Sequence, residues 1–255
     1  MRLSRSHGLG NDYLVLEEGT LTPAIVAAVC DRHTGVGSDG ILEPVPGQGA
    51  DYGLRIHNPD GSEAEKSGNG LRIYAEWLVR VRGAPTRFTV STRGGIVGCE
   101  VEGENVRVTM GRARILGEDT LAGERVTRVD VGNPHAVVLG IPEDWLARGE
   151  RVERSVPGRT NVQFIEVLGE HSVRVRVWER GAGHTLSSGS SACAVATVAV
   201  SRGLVRSPVE VEMEGGTLTV AVSAELDLTL DGPVEHVGTV EVSETWLGRR
   251  AATSR

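Results

Sequence analysis

Lysine is almost absent from this chain. Of the 27 basic side chains among 255 residues, Lys66 is the single lysine, so a pyridoxal cofactor would have one position at which to form its Schiff base; no cofactor is expected. Cysteine is scarce too. Cys30, Cys99 and Cys193 are odd in number and share no close spacing, which argues against a disulfide framework or a zinc site and fits a reduced, cytoplasmic compartment. No apolar run approaches the ~18 residues of a membrane span, and Met1 to His7 lacks the apolar core of a signal peptide, so no membrane association is expected. Acidic residues outnumber basic ones, 34 to 27 for a net charge of −7, and no basic stretch is interleaved with aromatics. Nucleic acid is therefore not an expected partner. Aromatics make up only 4% of the chain, which leaves Val, Leu, Ala and Ile to fill the cores.

Glycine, by contrast, is abundant at 34 residues, and it is spread along the chain as it would be between many short strands. Several glycine-containing strings occur twice. Asn11 returns as Asn133 (133 − 11 = 122), Ser67-Gly68-Asn69-Gly70 as Ser188-Gly189-Ser190-Ser191 (188 − 67 = 121), and Arg82-Gly83 as Arg202-Gly203 (202 − 82 = 120). Gly94-Gly95 returns as Gly215-Gly216 and Gly111 as Gly232, both at 121. Landmarks held in one register over most of the chain imply an internal duplication. The length suits two domains. We expect an N-terminal half over 1–114, a C-terminal half over 115–236, an active-site cleft between them, and a C-terminal strand over 237–255 assignable to either half.

Within each half the pattern is mainly of strands. Phe88 to Val90, Val97 to Val101 and Val106 to Val108, and again Val209 to Val211, Leu218 to Val222 and Leu226 to Leu228, alternate or carry β-branched residues on either side of tight turns. Between each Ser-Gly and Arg-Gly landmark lies a stretch of helical character. Ala192 to Val200 is apolar nearly all round and must be buried on every side, whereas Leu71 to Leu78 looks more amphipathic. Leu21 to Cys30 suggests a separate short surface helix after Thr20. The fold class implied is α/β (α+β), with two pseudo-symmetric halves, each a mainly antiparallel strand barrel around a buried central helix.

Gly35-Val36-Gly37-Ser38-Asp39-Gly40 matches the dinucleotide-binding glycine pattern literally. Its setting is wrong for that role, because no buried strand precedes it and Pro44 and Pro46 stand where the helix should run; a tight loop is the better reading. Ser67 and Ser188 head the two helical stretches. Serine there is a preferred helix cap, but two such heads at equivalent positions also suit a ligand carboxylate, since helix N-termini offer unpaired N–H groups and partial positive charge. Gly68 and Gly189 permit close approach, and Asn69 and Ser190 follow them. Asn11, Asn58, Asn133 and Asn161, with Glu179 and Arg180, could bind the charged groups of an amino acid, although Asn58-Pro59-Asp60-Gly61 is also a turn sequence. His135 belongs to one copy of the repeated asparagine motif.

The strings His7-Gly8-Leu9-Gly10-Asn11-Asp12, Arg32-His33-Thr34-Gly35-Val36-Gly37, Asn58-Pro59-Asp60-Gly61-Ser62, Gly132-Asn133-Pro134-His135, Arg159-Thr160-Asn161-Val162 and Glu179-Arg180-Gly181-Ala182-Gly183 resemble the diaminopimelate epimerase family, in order from residue 1 to about 216. The resemblance implies pyridoxal-independent inversion of an amino acid α-carbon, LL- to meso-diaminopimelate, in lysine and cell-wall biosynthesis. It implies substrate binding by Asn11, Asn58, Gly68, Asn69, Asn133, Asn161, Glu179, Arg180, Gly189 and Ser190, and leaves a homodimer open. The family uses two cysteines on opposite faces of the substrate, supported by a histidine and a glutamate; these map onto Ser67, Ser188, His135 and Glu179. Further departures are His184 in place of a glutamate and Ser191 in place of a glycine.

The loss of both thiols is not a minor change. A thiol ionises near ~8.5 and an unactivated hydroxyl nearer the ~15.7 of water. About seven units at ~1.36 kcal/mol each is about 10 kcal/mol, of which a helix N-terminus returns at most ~2. Serine alone is too weak a base. Three readings follow: an epimerase whose serines are assisted, a lyase on the same scaffold using His135 or Glu179 as single base, and a non-catalytic amino acid-binding protein. The double change Ser67→Cys, Ser188→Cys is expected to raise α-proton exchange on diaminopimelate, followed by NMR in D₂O; an unchanged rate would count against the mapping of the thiols.

Overall fold

The computed structural model describes residues 1–252. Its backbone contacts divide the chain into two compact units, Met1–Val106 together with the chain from Pro233 onward, and Arg107–Gly232. In chain order the first unit contains β1 (Arg2–Gly8), β2 (Asn11–Glu18), α1 (Pro23–Cys30), β3 (Ile41–Val45), β4 (Tyr52–His57), β5 (Glu63–Ala64), α2 (Gly68–Arg82), β6 (Arg87–Thr92) and β7 (Gly95–Glu102). The chain leaves this unit along β8 (Asn105–Arg112). The second unit follows with β9 (Arg114–Leu121), β10 (Glu124–Asp130), β11 (Pro134–Leu139), α3 (Trp145–Arg154), β12 (Asn161–Gly169), β13 (Ser172–Glu179), β14 (Gly183–His184), α4 (Gly189–Ser201), β15 (Val209–Met213), β16 (Gly216–Val222) and β17 (Asp227–Pro233). β18 (Glu235–Glu241) and α5 (Glu244–Ala252) return to the first.

The two units repeat one strand order. In the first, β1 pairs antiparallel with β2, β2 parallel with β3, β3 antiparallel with β4, β4 parallel with β6 and β6 antiparallel with β7. In the second, the same signs recur through β10, β11, β12, β13, β15 and β16. The duplication in the sequence is therefore a duplication of topology. Each parallel step needs a crossover, and the crossovers from β4 to β6 and from β13 to β15 are where α2 and α4 lie.

α4 is enclosed, as its composition requires. It packs against β10, β11, β12, β15 and β16, and its two fully buried hydroxyls are both bonded: Thr197 Oγ1 donates to the Cys193 carbonyl at 2.7 Å and Ser191 Oγ accepts from Gln163 at 3.0 Å. α2 is equally enclosed, as a buried central helix is expected to be, although its pattern is the more amphipathic of the two: every residue from Gly68 to Leu78 is buried, Arg72 and Glu76 included. Its polar tips find partners. Tyr74 donates to the Gly53 carbonyl at 2.9 Å, Trp77 to Glu17 at 3.3 Å, and Arg80 to Glu76 at 2.8 Å. The charge of Glu76 is met by Arg80, which is itself exposed, so this ion pair lies at the rim of the enclosed segment. α2 ends at Gly83 in the left-handed conformation (φ 64°), the usual stop for a helix.

Two terminal readings change. The strand expected from Val237 ends at Glu241 and gives way to α5; residues 253–255 of that expectation lie outside the described ones. α1, expected as a surface helix over Leu21 to Cys30, starts at Pro23 with Thr22 as its cap, and its Val26, Val29 and Cys30 are buried in the core of the first unit. Among the described residues no helix is long and apolar enough to cross a membrane.

The glycine-rich loop folds back over the C-terminus of α1. Val36 and Gly37 donate to the Val29 carbonyl at 2.9 and 3.0 Å, and Ser38 to that of Cys30 at 3.1 Å. A Cβ on Gly35 would stand 2.1 Å from the Ala28 oxygen and 2.7 Å from that of Val29. Gly35→Ala is expected to cost about 1–3 kcal/mol through overpacking against fixed carbonyls, read as a lower urea midpoint; an unchanged midpoint would contradict this account.

Candidate active site

Both central helices begin at a serine in the same conformation. Ser67 (φ −138°, ψ 119°) accepts from Gly70 N–H at 3.0 Å, and Ser188 (φ −149°, ψ 119°) from Ser191 N–H at 3.4 Å. Their carbonyls take Leu71 N–H and Ala192 N–H at 2.9 and 3.0 Å. The N–H groups of the first two helical residues, Gly68 with Asn69 and Gly189 with Ser190, have no acceptor within their helices. Each head can thus hold one carboxylate group.

In the first unit a chain of hydrogen bonds fixes Asn11. The two-residue turn Leu9-Gly10, both at positive φ (56° and 88°) as a tight hairpin of this kind requires, delivers Asn11 to the start of β2. Arg32 bridges Asp12 and Asp39, at 2.7 Å to each, and Arg5 reaches Asp12 at 2.6 Å. Hydrogen bonds to Asp12 and then Asp39 raise the Arg32 pKa further above its already high value. Asn11 Nδ2 donates to Asp39 at 2.7 Å, and Asn69 Nδ2 donates to Asn11 Oδ1 at 2.9 Å. A carboxylate only accepts, so Asp39 dictates which way the Asn11 amide points, and Asn11 in turn orients Asn69. Tyr13 sets its hydroxyl 3.2 Å from Ser67 Oγ. Asn58 sits apart from this chain, in the turn its sequence announces; its N–H donates to the Ser62 carbonyl at 2.8 Å and its Nδ2 to Ser62 Oγ at 3.0 Å.

In the second unit the organising group is a histidine. His135 is 1% exposed. Gln163 Nε2 donates to its Nδ1 at 3.0 Å and to Ser191 Oγ at 3.0 Å, so the ring proton lies on Nε2, which donates to Asn133 Oδ1 at 2.8 Å. Burial pushes the His135 pKa down to about 4, outweighing the Gln163 bond and the charge of Asp130. The ring is neutral with both nitrogens engaged, which leaves it no lone pair for a ligand proton. Asn161 Nδ2 donates to the Pro134 carbonyl at 2.9 Å and its Oδ1 accepts from Arg180 N–H at 3.0 Å, tying β11 to the Glu179-Arg180 turn. Glu179 is half-buried and the Arg180 side chain exposed.

Glu153 holds the same turn from below. Its carboxylate accepts from Gly181 N–H at 2.8 Å and from Trp178 Nε1 at 2.9 Å. Burial opposes its ionisation, but these two bonds and the charge of Arg159 outweigh burial and lower its pKa. His184 stands beside Glu214 at 2.5 Å and against the edge of Trp145. The thiols lie elsewhere: burial pushes Cys30 and Cys99 up to about 12, and Cys193 is enclosed in α4. Among the described residues no group of three His, Cys, Asp or Glu could hold a metal.

Sequence reasoning passed over Tyr13, Arg32, Asp39, Gln163 and Glu153. Arg32 and Asp39 were in view within the glycine-rich loop and its approach, but nothing in one dimension joins them to Asn11. Glu153 lies in an Arg- and Glu-rich helix that looks like a solvated face, and Gln163 within an ordinary strand.

The family model described as diaminopimelate epimerase matches residues 3–116 and 127–237. Diaminopimelate epimerase from Desulforudis audaxviator is 39% identical over 271 residues, covering 93% of this chain and 97% of that protein. Diaminopimelate epimerase 2 from Nostoc sp. is 36% identical over 275 residues, covering 95% and 96%. Among solved structures, a probable proline racemase from Agrobacterium radiobacter, with bound carbonate, superposes with a TM-score of 0.77 at 17% identity, covering 95% of this chain and 93% of that one. A hydroxyproline epimerase from Agrobacterium vitis, with bound trans-4-hydroxy-L-proline, gives 0.72 at 15% identity, covering 95% and 90%. At these identities the structures speak for the fold.

The buried neutral histidine also makes a stability prediction. An unfolded histidine titrates near ~6.5, so between that pH and the folded value of about 4 the unfolded chain holds the extra proton. This contribution is complete above pH ~6.5 and is lost as pH falls toward 4, by up to about 3 kcal/mol. In urea titrations, His135→Gln should flatten this part of the pH dependence relative to the parent; parallel curves for the two proteins would refute it.

Proposed function

The chain belongs to the diaminopimelate epimerase family, and on that premise we propose that it inverts the α-carbon of diaminopimelate, LL to meso, in the cytoplasmic synthesis of lysine, with Ser67 and Ser188 at the positions of the family's two thiols. It is an isomerase of the epimerase and racemase class. The observation that carries the proposal is the matched geometry of the two helix heads, with the same backbone conformation and the same pair of accepted N–H bonds at Ser67 and Ser188.

In this reading each helix head offers its N–H groups, those of Gly68 and Asn69 or those of Gly189 and Ser190, to a substrate carboxylate, and its fixed dipoles stabilise charge that develops there. Asn11, Asn58, Asn133, Asn161, Glu179 and Arg180 bind the remaining ammonium and carboxylate groups. Asn133 serves this role well because its Oδ1 is occupied by His135, which turns its Nδ2 the other way as a donor. His135 acts as a positioning residue. The lyase reading based on His135 is disfavoured by the engagement of both its nitrogens, and Glu179 is then the remaining single base for that reaction.

The test is incubation with LL- and meso-diaminopimelate in D₂O, following the α-proton by NMR. Exchange with inversion is expected. Loss of water would establish the lyase instead, and saturable binding without exchange would make the chain an amino acid-binding protein.

A further inference from the structure

The repeat that pairs Asn11 with Asn133 (133 − 11 = 122) also pairs Tyr13 with His135 (135 − 13 = 122). Both residues lie on corresponding strands, β2 and β11, each antiparallel to the strand before it and parallel to the strand after it. The duplicated fold thus places one titratable ring beside the first turn of each central helix. Their couplings differ. By hydrogen bonds His135 reaches α4 through Gln163, which touches Ser191 rather than the capping serine. Tyr13 meets the capping serine itself, 3.2 Å from Ser67 Oγ.

The surroundings hold the phenol in place. Tyr13 is 8% exposed, and a Cβ on Gly40 would stand 2.7 Å from its ring at Cε1 and 2.5 Å from the His57 carbonyl. The last glycine of the Gly-x-Gly-x-x-Gly string is therefore the space the ring edge occupies. Ser67 Oγ accepts from Gly70 N–H, so its own hydrogen and its second lone pair remain for Tyr13 and a ligand. Either oxygen of the pair can donate, which allows a proton to pass in both directions.

Resting on the epimerase reading above, we propose that Tyr13 is a positioning residue that relays the proton carried by Ser67, so that a serine–tyrosine pair takes the place of a thiol in the first unit. In the delivering direction the Ser67 Oγ–H bond breaks as Cα–H forms, and the Tyr13 O–H bond breaks as Ser67 regains its hydrogen, leaving the electron pair on the phenolate oxygen. In the abstracting direction the phenolate takes the Ser67 hydrogen as Ser67 takes that of Cα. Protons and charge balance in each case. A phenol ionises near ~10, far closer to neutrality than an alcohol near ~15.7, which is the chemical advantage of the pair over serine alone. The relay accounts for one of the two proton transfers that inversion needs; the other falls to Ser188, whose proton Glu179 takes or returns, because the equivalent ring of the second unit, His135, is held neutral and fully bonded.

Tyr13→Phe keeps the ring and removes the hydroxyl. In the parent protein it should lower the α-proton exchange rate on diaminopimelate by about 100-fold, the usual scale of general acid–base assistance, leave KM unchanged, and remove the phenol limb from the pH–rate profile. In a Ser67→Cys background, where the thiol titrates for itself, the same change should have little effect. An equal loss in both backgrounds makes Tyr13 a packing residue and overturns the relay, as does a parent unaffected by Tyr13→Phe. A parent that exchanges nothing while the Ser67→Cys, Ser188→Cys protein turns over overturns the relay and the epimerase reading of the parent together, and keeps only the mapping of the two serines onto the family's thiols. Silence from both proteins would defeat that reading and the relay with it.

Discussion

One hydrogen bond, made twice, organises the candidate site: the N–H of the third helical residue donating to a serine hydroxyl, Gly70 to Ser67 and Ser191 to Ser188. It stops each central helix at a defined residue, turns the hydroxyl toward the helix mouth and leaves the two preceding N–H groups for a ligand. The same bond exposes a conflict between stability and chemistry. A serine cap stabilises a helix by about 0.5–2 kcal/mol, whereas exchanging a thiol for a hydroxyl as the base costs about 10 kcal/mol. Capping cannot offset that loss, so any catalysis must draw on a neighbouring group.

The two units solve the same orientation problem with different chemistry. Asn11 is aimed by a carboxylate, Asp39, which can only accept; Asn133 is aimed by His135, whose Nε2–H donates. The equivalent amides consequently present different atoms to their surroundings. The two copies of the scaffold are thus chemically unlike at equivalent positions. The neutrality of His135 is part of the device, because a charged ring would have no acceptor nitrogen for Gln163.

Much of this was legible without coordinates. The two serine heads, their glycines and the asparagines are short-range signals, repeated in one register, and the all-apolar Ala192 to Val200 admits no position but an enclosed one. The stretch from Leu71 to Leu78 is amphipathic in pattern and yet enclosed, because the charge of Glu76 is met one turn on by Arg80, which is itself exposed. The strand expected beyond Glu241 gave way to α5, because Thr245, Trp246 and Leu247 suit either element when nothing is known of their packing.

The amino-acid order by itself determined the duplication, the family, the identity of the capping residues and the absence of thiols from their positions, since each depends on which residues stand at fixed separations along the chain. Only the tertiary structure decided the protonation and polarity of the site: that His135 is neutral and fully bonded, that Asp39 rather than solvent aims Asn11, and that Tyr13 meets Ser67. Those properties arise from burial and from contacts between residues up to 58 positions apart, as between Asn11 and Asn69, and hydrogen-bond direction is not encoded in any local pattern.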